Sequence, residues 1–375
     1  MTDTRPNTCD YRRLFLENIP LLDVRAPIEY DKGAFPKSTN SPLLNDEERA
    51  QIGTCYKRKG HDAAVELGHQ LVAGETRDER TQSWIEFTQQ HPAGYIYCFR
   101  GGERSHMVQS WLKEGGVDYP LITGGYKALR NWLLDYLEDS IDQCRFIILG
   151  GKTGTGKTRL LTRSPDHIDL EGLANHSGSS FGRRVGGQPT QIGFENNLAI
   201  NLLKLRDQGI NTFLLEDESK LIGRCCLPPT LKAKMDTAPI LLLEEDLETR
   251  VQITFEEYIS QNLKENIALH GEEKGFGLFS EELLASIDRI RKRLGGVRHQ
   301  EYRSIMEEAL EQQQNGEEPS RHKDWIAALL RDYYDPMYEY QLEQKQDRIV
   351  ATGNQQQLAE EFLLSGALSS LTPAY

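Results

Sequence analysis

The chain has 375 residues, 38% hydrophobic and 27% charged, with a formal net charge of −13. At roughly 100–200 residues per domain it holds about two domains, with enough core to need no disulfide or metal staple. The acidity excludes a generic nucleic-acid coat, which relies on lysine and arginine against phosphates, but a local basic patch can still hold such a substrate.

Residues 1–140 read as a first α/β unit. Ile19 to Arg25 is a short apolar strand ending in charge, and Gly94 to Tyr97 is a second, ending at Cys98. Ser105 to Glu114 reads as a helix, with Met107, Val108, Trp111 and Leu112 at helical spacings, and Gly115-Gly116 stops it. Tyr119 to Ile122 is a third strand and Lys127 to Tyr136 another helix, followed by a break at Glu138-Asp139-Ser140. Alternating strands and helices predict a parallel sheet covered on both faces.

Residues 141–255 read as the core of a second α/β unit. Its strands are expected at Arg145 to Gly150, His167 to Leu170, Thr212 to Glu216 and Ile240 to Leu243. Residues 256–375 read as mainly helical, completing or flanking that unit. Leu283, Leu284, Ile287, Ile290 and Leu294 form a helical stripe, and Glu311 to Ser320 reads as a polar loop. No apolar run approaches the roughly 20 residues of a membrane helix. Met1 to Pro6 lacks the apolar core of a signal peptide, so a cytoplasmic location without membrane contact is expected. The six cysteines form no C-x-x-C pair or zinc-ligand pattern and are expected as thiols.

Two loops carry chemistry. Cys98-Phe99-Arg100-Gly101-Gly102-Glu103-Arg104-Ser105 lies between a strand and a helix. A cysteine there sits among backbone N–H groups, beside the positive helix end and two arginines, a setting that favours the thiolate. The glycines let the N–H groups converge on one anion. A buried structural cysteine is the plainer reading, but Arg100 and Arg104 are odd neighbours for an inert thiol. The second loop, Gly151-Lys152-Thr153-Gly154-Thr155-Gly156-Lys157-Thr158, matches G-x-x-x-x-G-K-[ST] between an expected strand and helix, the context that confirms a P-loop. Gly151, Gly154 and Gly156 open the backbone to a polyphosphate, Lys157 reaches its terminal phosphates and Thr158 can ligate Mg²⁺. Asp169 and Glu216 are the candidate acids at neighbouring strand ends, with a structural role the alternative for each. The motif binds a diphosphate; it does not by itself establish hydrolysis.

Further along, His176 to Arg184 is a Gly/Ser loop closing on Arg183 and Arg184, which either covers the phosphate site or is plain surface. Arg289, Arg291, Lys292, Arg293, Arg298 and Arg303 make either a phosphate-backbone footprint or a solvated helix face. Trp325 and Tyr333 to Tyr338 read chiefly as core, with base stacking the alternative. Cys225-Cys226 reads as packing.

The first unit resembles the rhodanese family of sulfurtransferases. Asp23-Val24-Arg25, Glu29-Tyr30 and Gly33-Ala34 look like its first characteristic segment, and Cys98 falls at its persulfide-carrying cysteine. The loop is one residue longer than the ordinary rhodanese loop, with the cysteine, five residues, arginine spacing of cysteine phosphatases. That implies room for a tetrahedral phosphate, as an ester or bearing sulfur or selenium. A rhodanese-like unit followed by a P-loop unit resembles the tRNA 2-selenouridine synthase family across nearly the whole chain. The carrying segments also include Gly53-Thr54-Cys55-Tyr56-Lys57, Asp169 to Ala174, Ser179 to Gly182 and Glu216 to Ser219. The fold implied is an N-terminal rhodanese-like parallel-sheet domain, then a P-loop NTPase-like α/β domain with a helical C-terminal region.

That resemblance implies a transferase acting on tRNA with 2-thiouridine at the wobble position. It alkylates the sulfur with geranyl diphosphate and then replaces the geranylthio group using selenophosphate. Cys98, Arg100 and Arg104 would serve the selenium donor. Gly151, Gly154, Gly156, Lys157, Thr158, Asp169 and Arg183 would serve the diphosphate, with Mg²⁺ at Thr158 and a selenophosphate-supplying enzyme as a partner. A cysteine-dependent phosphatase or sulfurtransferase coupled to a P-loop kinase would keep the same residues but release phosphate without tRNA. A nucleotide-gated binding module would leave Cys98 unreactive.

Overall fold

The computed structural model describes residues 5–363 and 366–371. It divides into two compact units, Met1–Ser140 with Thr190–Asp207, and Ile141–Pro189 with Gln208–Tyr375. The first is built on a parallel sheet. Strand β1 (Leu21–Asp23) lies between β2 (Ser38–Asn40) and β3 (Tyr95–Tyr97), with Leu21 opposite both Ser38 and Tyr95. The stretch expected as a third strand takes part through single bridges, Ile96 to Leu121 and Thr8 to Ile122. Every residue of β1 and β3 is buried, as a sheet covered on both faces requires.

Between β2 and β3 run three helices, Asp46–Lys59, His61–Leu71 and Glu75–Gln90, which the sequence reading did not place. The first opens on a capping box: the Glu48 N–H donates to Asn45 Oδ1 at 2.8 Å and the Asn45 N–H donates to Glu48 Oε2 at 2.9 Å. Helix Gly125–Gln143 runs through the expected break at 138–140. Leu129, Leu133, Leu137 and Ile141 recur every fourth residue and are all buried, so the apolar stripe outlasts the local charge. Helix Gln191–Asp207 belongs to this unit although its sequence lies inside the second. It is tied down by Asn196, whose amide donates to the Ala34 carbonyl at 3.0 Å and accepts from Arg130 at 2.7 Å.

The second unit carries a five-stranded parallel sheet. Its strands are β4 (Arg145–Gly151), β5 (His167–Ile168), β6 (Thr212–Glu216), β9 (Ile240–Leu243) and β10 (Ile349–Gly353), ordered β10-β9-β4-β6-β5. A small antiparallel hairpin, β7 (Leu221–Ile222) and β8 (Cys225–Cys226), is separate. The continuous apolar runs of β4, β6 and β9 are the composition that a doubly covered sheet demands. β10 comes from the stretch expected to be helical and adds an edge beside β9. The rest of that stretch is largely helical. Helix Glu272–Leu294 buries Phe279, Leu283, Ile287, Ile290 and Leu294. Helix Gly296–Gln314 extends into the expected polar loop. No helix among the described residues is long and apolar enough to cross a membrane, and all six cysteines are free thiols.

Candidate active site

β4 ends at Gly151, the chain turns through residues 152–156, and a short helix starts at Lys157. The turn needs its glycines. Gly154 and Gly156 have φ of +81° and +77°, where L side chains are strained. A Cβ on Gly154 would stand 2.5 Å from Thr254 Oγ1, and one on Gly156 would collide with the Gln355 amide. Arg250 fixes the loop from behind. Its Nε donates to the Thr153 carbonyl at 2.9 Å, while its two terminal nitrogens grip Asp335 at 3.0 and 2.6 Å. Lys157 folds over the loop and donates to the Gly151 carbonyl at 3.0 Å.

Thr158 opens onto three buried carboxylates. Its hydroxyl donates to Glu216 Oε1 at 2.6 Å, and Glu171 Oε2 lies 3.4 Å away. Glu216 closes β6, next to β4 and opposite Leu149, so the parallel register sets an acid beside the P-loop. Burial, then the charge of Glu218, pushes the Glu171 carboxyl up to about 8. Burial and Glu171 push Glu216 up to about 8, and burial and Glu216 push Glu218 up to about 7. Burial works against the Lys157 charge, but Tyr338 and these carboxylates outweigh it and hold its pKa above the usual lysine value. Among the described residues no group of three or more His, Cys, Asp or Glu side chains is arranged to hold a metal alone. Mg²⁺ suits the site in another way: a hydroxyl and one or two carboxylates complete its shell with water and substrate phosphate oxygens. Thr158 and Glu216 are the residues that would supply those oxygens.

A cavity of about 310 Å³ opens from the loop. Ser177 to Ser180 form part of its wall, which places the Gly/Ser loop beside the P-loop. Tyr258, Tyr333 and Tyr338 line it, and the Lys157 ammonium lies 5.8 Å from the Tyr338 ring centre. Arg293 of the basic run also reaches it, whereas Arg289 is spent on Glu282 at 2.6 Å and Arg303 on Asp288 at 3.3 Å. Trp325 is core, stacked on Phe181 at 5.5 Å. Asp169 lies elsewhere in this network: it caps helix Leu170–Ala174 by accepting the Gly172 N–H at 2.6 Å. Arg183 pairs with Glu282 at 3.3 Å on the surface, and its neighbour Arg184 approaches Glu171 at 3.7 Å. The sequence reading gave no role to Glu171 or Glu218. Glu171 stands two residues from Asp169, and Glu218 two from Glu216, in segments quoted for the resemblance alone.

The cysteine loop is built differently. Cys98 follows β3 and is buried; its Sγ lies 3.2 Å from Ser105 Oγ and 3.9 Å from the Gly102 carbonyl. Ser105 also donates to that carbonyl at 3.0 Å, so its hydroxyl sits between loop and thiol. Gly101 takes φ +64°, and a Cβ there would stand 2.7 Å from the Gly124 nitrogen. Helix Glu103–Glu114 starts at the loop; its Ser105 N–H donates to the Gly102 carbonyl at 3.0 Å, and the N–H groups before it have no preceding helical carbonyl to reach. Arg100 is exposed. Arg104 does not stand alone: it forks onto Glu29 at 2.6 and 3.2 Å, and Arg49 takes the same carboxylate at 3.0 Å. Burial pushes Glu29 up, but Arg104 and Arg49 outweigh it and hold the carboxyl below its usual value.

Beneath this loop the Asp23-Val24-Arg25 segment resolves into a buried ion pair. Arg25 donates to Asp23 Oδ2 at 2.6 Å and to the Gly33 carbonyl at 3.0 Å, and the Tyr97 hydroxyl donates to Asp23 at 2.6 Å. The Arg25 guanidinium stacks on Tyr126 at 3.8 Å. Segments that are separate in sequence thus meet in one scaffold under β1 and β3.

Fold and loops together define a P-loop enzyme with a second, cysteine-bearing loop on its own α/β unit. Residues 144–366 match the family described as tRNA 2-selenouridine synthase AAA domain. The chain is 53% identical to a tRNA 2-selenouridine synthase of Pseudomonas syringae pv. tomato, over 97% of this chain and 98% of that protein. It is also 53% identical to one of Marinobacter nauticus, over 95% and 97%. A solved structure, the N-terminal domain of a putative ATP/GTP binding protein from Clostridium difficile 630, is 33% identical over 31% of this chain and 89% of its own, with a TM-score of 0.29. The chain belongs to the tRNA 2-selenouridine synthase family, and it is an enzyme.

Proposed function

We propose that the protein converts wobble 2-thiouridine of tRNA to 2-selenouridine through an S-geranyl intermediate. In the first step the 2-thiouridine sulfur attacks C1 of geranyl diphosphate. The C1–O bond breaks and diphosphate leaves with the electron pair. The Gly151–Thr158 loop cradles the departing diphosphate and Lys157 neutralises its growing charge. Mg²⁺, held by Thr158 and Glu216, would supply further charge neutralisation at the phosphates. In the second step the selenium of selenophosphate attacks C2 of the alkylated uracil and expels geranylthiolate, which takes up a proton. Water then cleaves the P–Se bond and releases phosphate, so no oxidant or reductant is consumed. The helix start after Gly102, with Arg104 held in place by Glu29, is the anion seat for selenophosphate, and Cys98 beside Ser105 steers the selenium of the bound donor toward C2 without bonding to it.

The observation that carries this reading is the aromatic wall beside the P-loop. Tyr258, Tyr333 and Tyr338 line the cavity into which the cradle opens. An allylic diphosphate develops positive charge at C1 as it ionises, and ring faces stabilise a cation about 6 Å away. The test is mass spectrometry of nucleosides from 2-thiouridine tRNA incubated with the protein, Mg²⁺ and each donor omitted in turn. Geranyl diphosphate alone is expected to yield the geranylated nucleoside, and selenophosphate added afterwards the seleno-nucleoside. Selenation without any geranyl donor would overturn the two-step reading.

A further inference from the structure

A cavity of about 830 Å³ lies in the first unit and not at the P-loop. Its size falls in the range of small-molecule sites, roughly 300–1,000 Å³. Its inner wall is apolar, with Leu43, Leu44, Ile52, Ala64, Val65 and Met107. Its other wall is the cysteine loop and the helix after it, through Phe99, Glu103 and Arg104. One covering helix is unusual. Asp46–Lys59 buries none of its 14 residues fully, and its Ile52, packed at the margin of the core, also lines the cavity. Core-forming helices turn a wide apolar stripe into the protein; this one encloses a space.

The lining charge is also one-sided. Arg25, Lys32, Arg49, Lys57 and Arg104 stand against Glu29 and Glu103. Arg25 is balanced by Asp23, but Arg49 and Arg104 share the single Glu29, and Lys32 and Lys57 add to the excess. A basic, apolar cavity in a chain of net charge −13 selects a ligand with a long apolar part and an anionic part. Tyr56, 57% exposed, is also part of the lining and offers a ring face of the kind on which a base stacks.

We infer that this cavity receives the geranyl chain of S-geranyl-2-thiouridine during selenation, with the RNA backbone on its cationic lining and the alkylated base toward the cysteine loop. The inference rests on the S-geranyl reading above and adds where the leaving group is held. Each buried methylene strengthens binding by about fourfold, so even partial burial of a ten-carbon chain gives a large preference.

The test compares an anticodon stem-loop RNA bearing 2-thiouridine with the same RNA S-geranylated. The intact protein is expected to bind the geranylated RNA at least about 100-fold more tightly. Gly53 lines the cavity and nothing lies within 4 Å of a Cβ built on it, so Gly53→Phe adds a ring at the cavity wall where its first carbon has room. It is expected to abolish the preference and raise the KM for selenation of the geranylated RNA by a similar factor. Ala64→Phe fills the cavity from the neighbouring helix and gives the same result if folded, as thermal unfolding checks. Equal binding of the two RNAs, or a preference that survives Gly53→Phe, overturns the inference. Free geranyl diphosphate separates the two sources of the chain. Displacement of the geranylated RNA by it that is lost in Gly53→Phe but kept in Lys157→Ala would place the donor here instead and overturn the inference. The binding arm needs no turnover. Failure of the S-geranyl pathway would appear separately, as geranylated RNA that binds but is not selenated.

Discussion

The two loops, each proposed to seat a phosphate-bearing donor, are charged in opposite ways. At the P-loop the anions dominate: Lys157 faces Glu171, Glu216 and Glu218, whose burial keeps them protonated more readily than ordinary carboxylates. At the cysteine loop the cations dominate, with Arg104 and Arg49 converging on Glu29. The first arrangement calls for a cation to accompany its ligand. The second offers surplus positive charge and an apolar cavity. Donor ionisation suits the former, and reception of an alkylated polyanion the latter.

The difference is broken most completely by removing the reacting group of either loop. Cys98→Ala is expected to eliminate selenation while leaving alkylation, read as accumulated geranylated nucleoside; equal loss of both products in folded protein would refute the assignment. Lys157→Ala should slow alkylation by about 10²–10³-fold, the scale for removing a group that stabilises developing charge. Selenation of RNA supplied already geranylated should continue in that variant. Glu29→Gln probes the cysteine loop more finely. Loss of the carboxylate frees Arg104 from its fork, and the KM for selenophosphate is expected to rise more than kcat falls, measured by phosphate release.

Two further changes sharpen the comparison through stability. Asp23→Asn leaves the Arg25 guanidinium buried and unpaired, which costs about 3–5 kcal/mol and should appear in urea unfolding of the first unit. In the second unit His322 is fully buried, accepting from the Trp325 indole at 3.0 Å and lying 3.0 Å from Gln313 Oε1, an arrangement of the neutral ring. Burial pushes its pKa down to about 4 from 6.5. Between those values the unfolded chain binds the extra proton, so this contribution is complete above pH 6.5 and is lost as pH falls toward 4, up to about 3 kcal/mol. Urea midpoints measured between pH 7 and 4.5 should fall more steeply for the parent than for His322→Gln.

What could be read from sequence follows from how local each feature is. The P-loop declares itself because a turn of positive-φ glycines between strand and helix leaves a spacing. β4, β6 and β9 declare themselves as apolar runs. Helix Asp46–Lys59 does not, since a helix that buries no residue writes no stripe. β10 is an edge strand of only partly buried residues after a long helical stretch, so its pairing partner, not its composition, makes it a strand. Helix Gln191–Asp207 returns to the first unit through Asn196, a contact more than 160 positions from Ala34. At the site, the fork between Arg104 and Glu29 spans 75 positions, and the carboxylate trio meets only when β5 docks beside β6. The loops and Glu216 were legible; Glu171, Glu218 and the fork of Arg104 on Glu29 were not.

The central claim, one step at each loop, is tested most directly by splitting the reaction between two variants. 2-Thiouridine tRNA is incubated with Cys98→Ala protein and geranyl diphosphate, repurified, and given to Lys157→Ala protein with selenophosphate. The account expects 2-selenouridine from the sequence of two variants and from neither alone. A second variant that returns the geranylated tRNA unchanged, while parent protein selenates it, would contradict the division of labour.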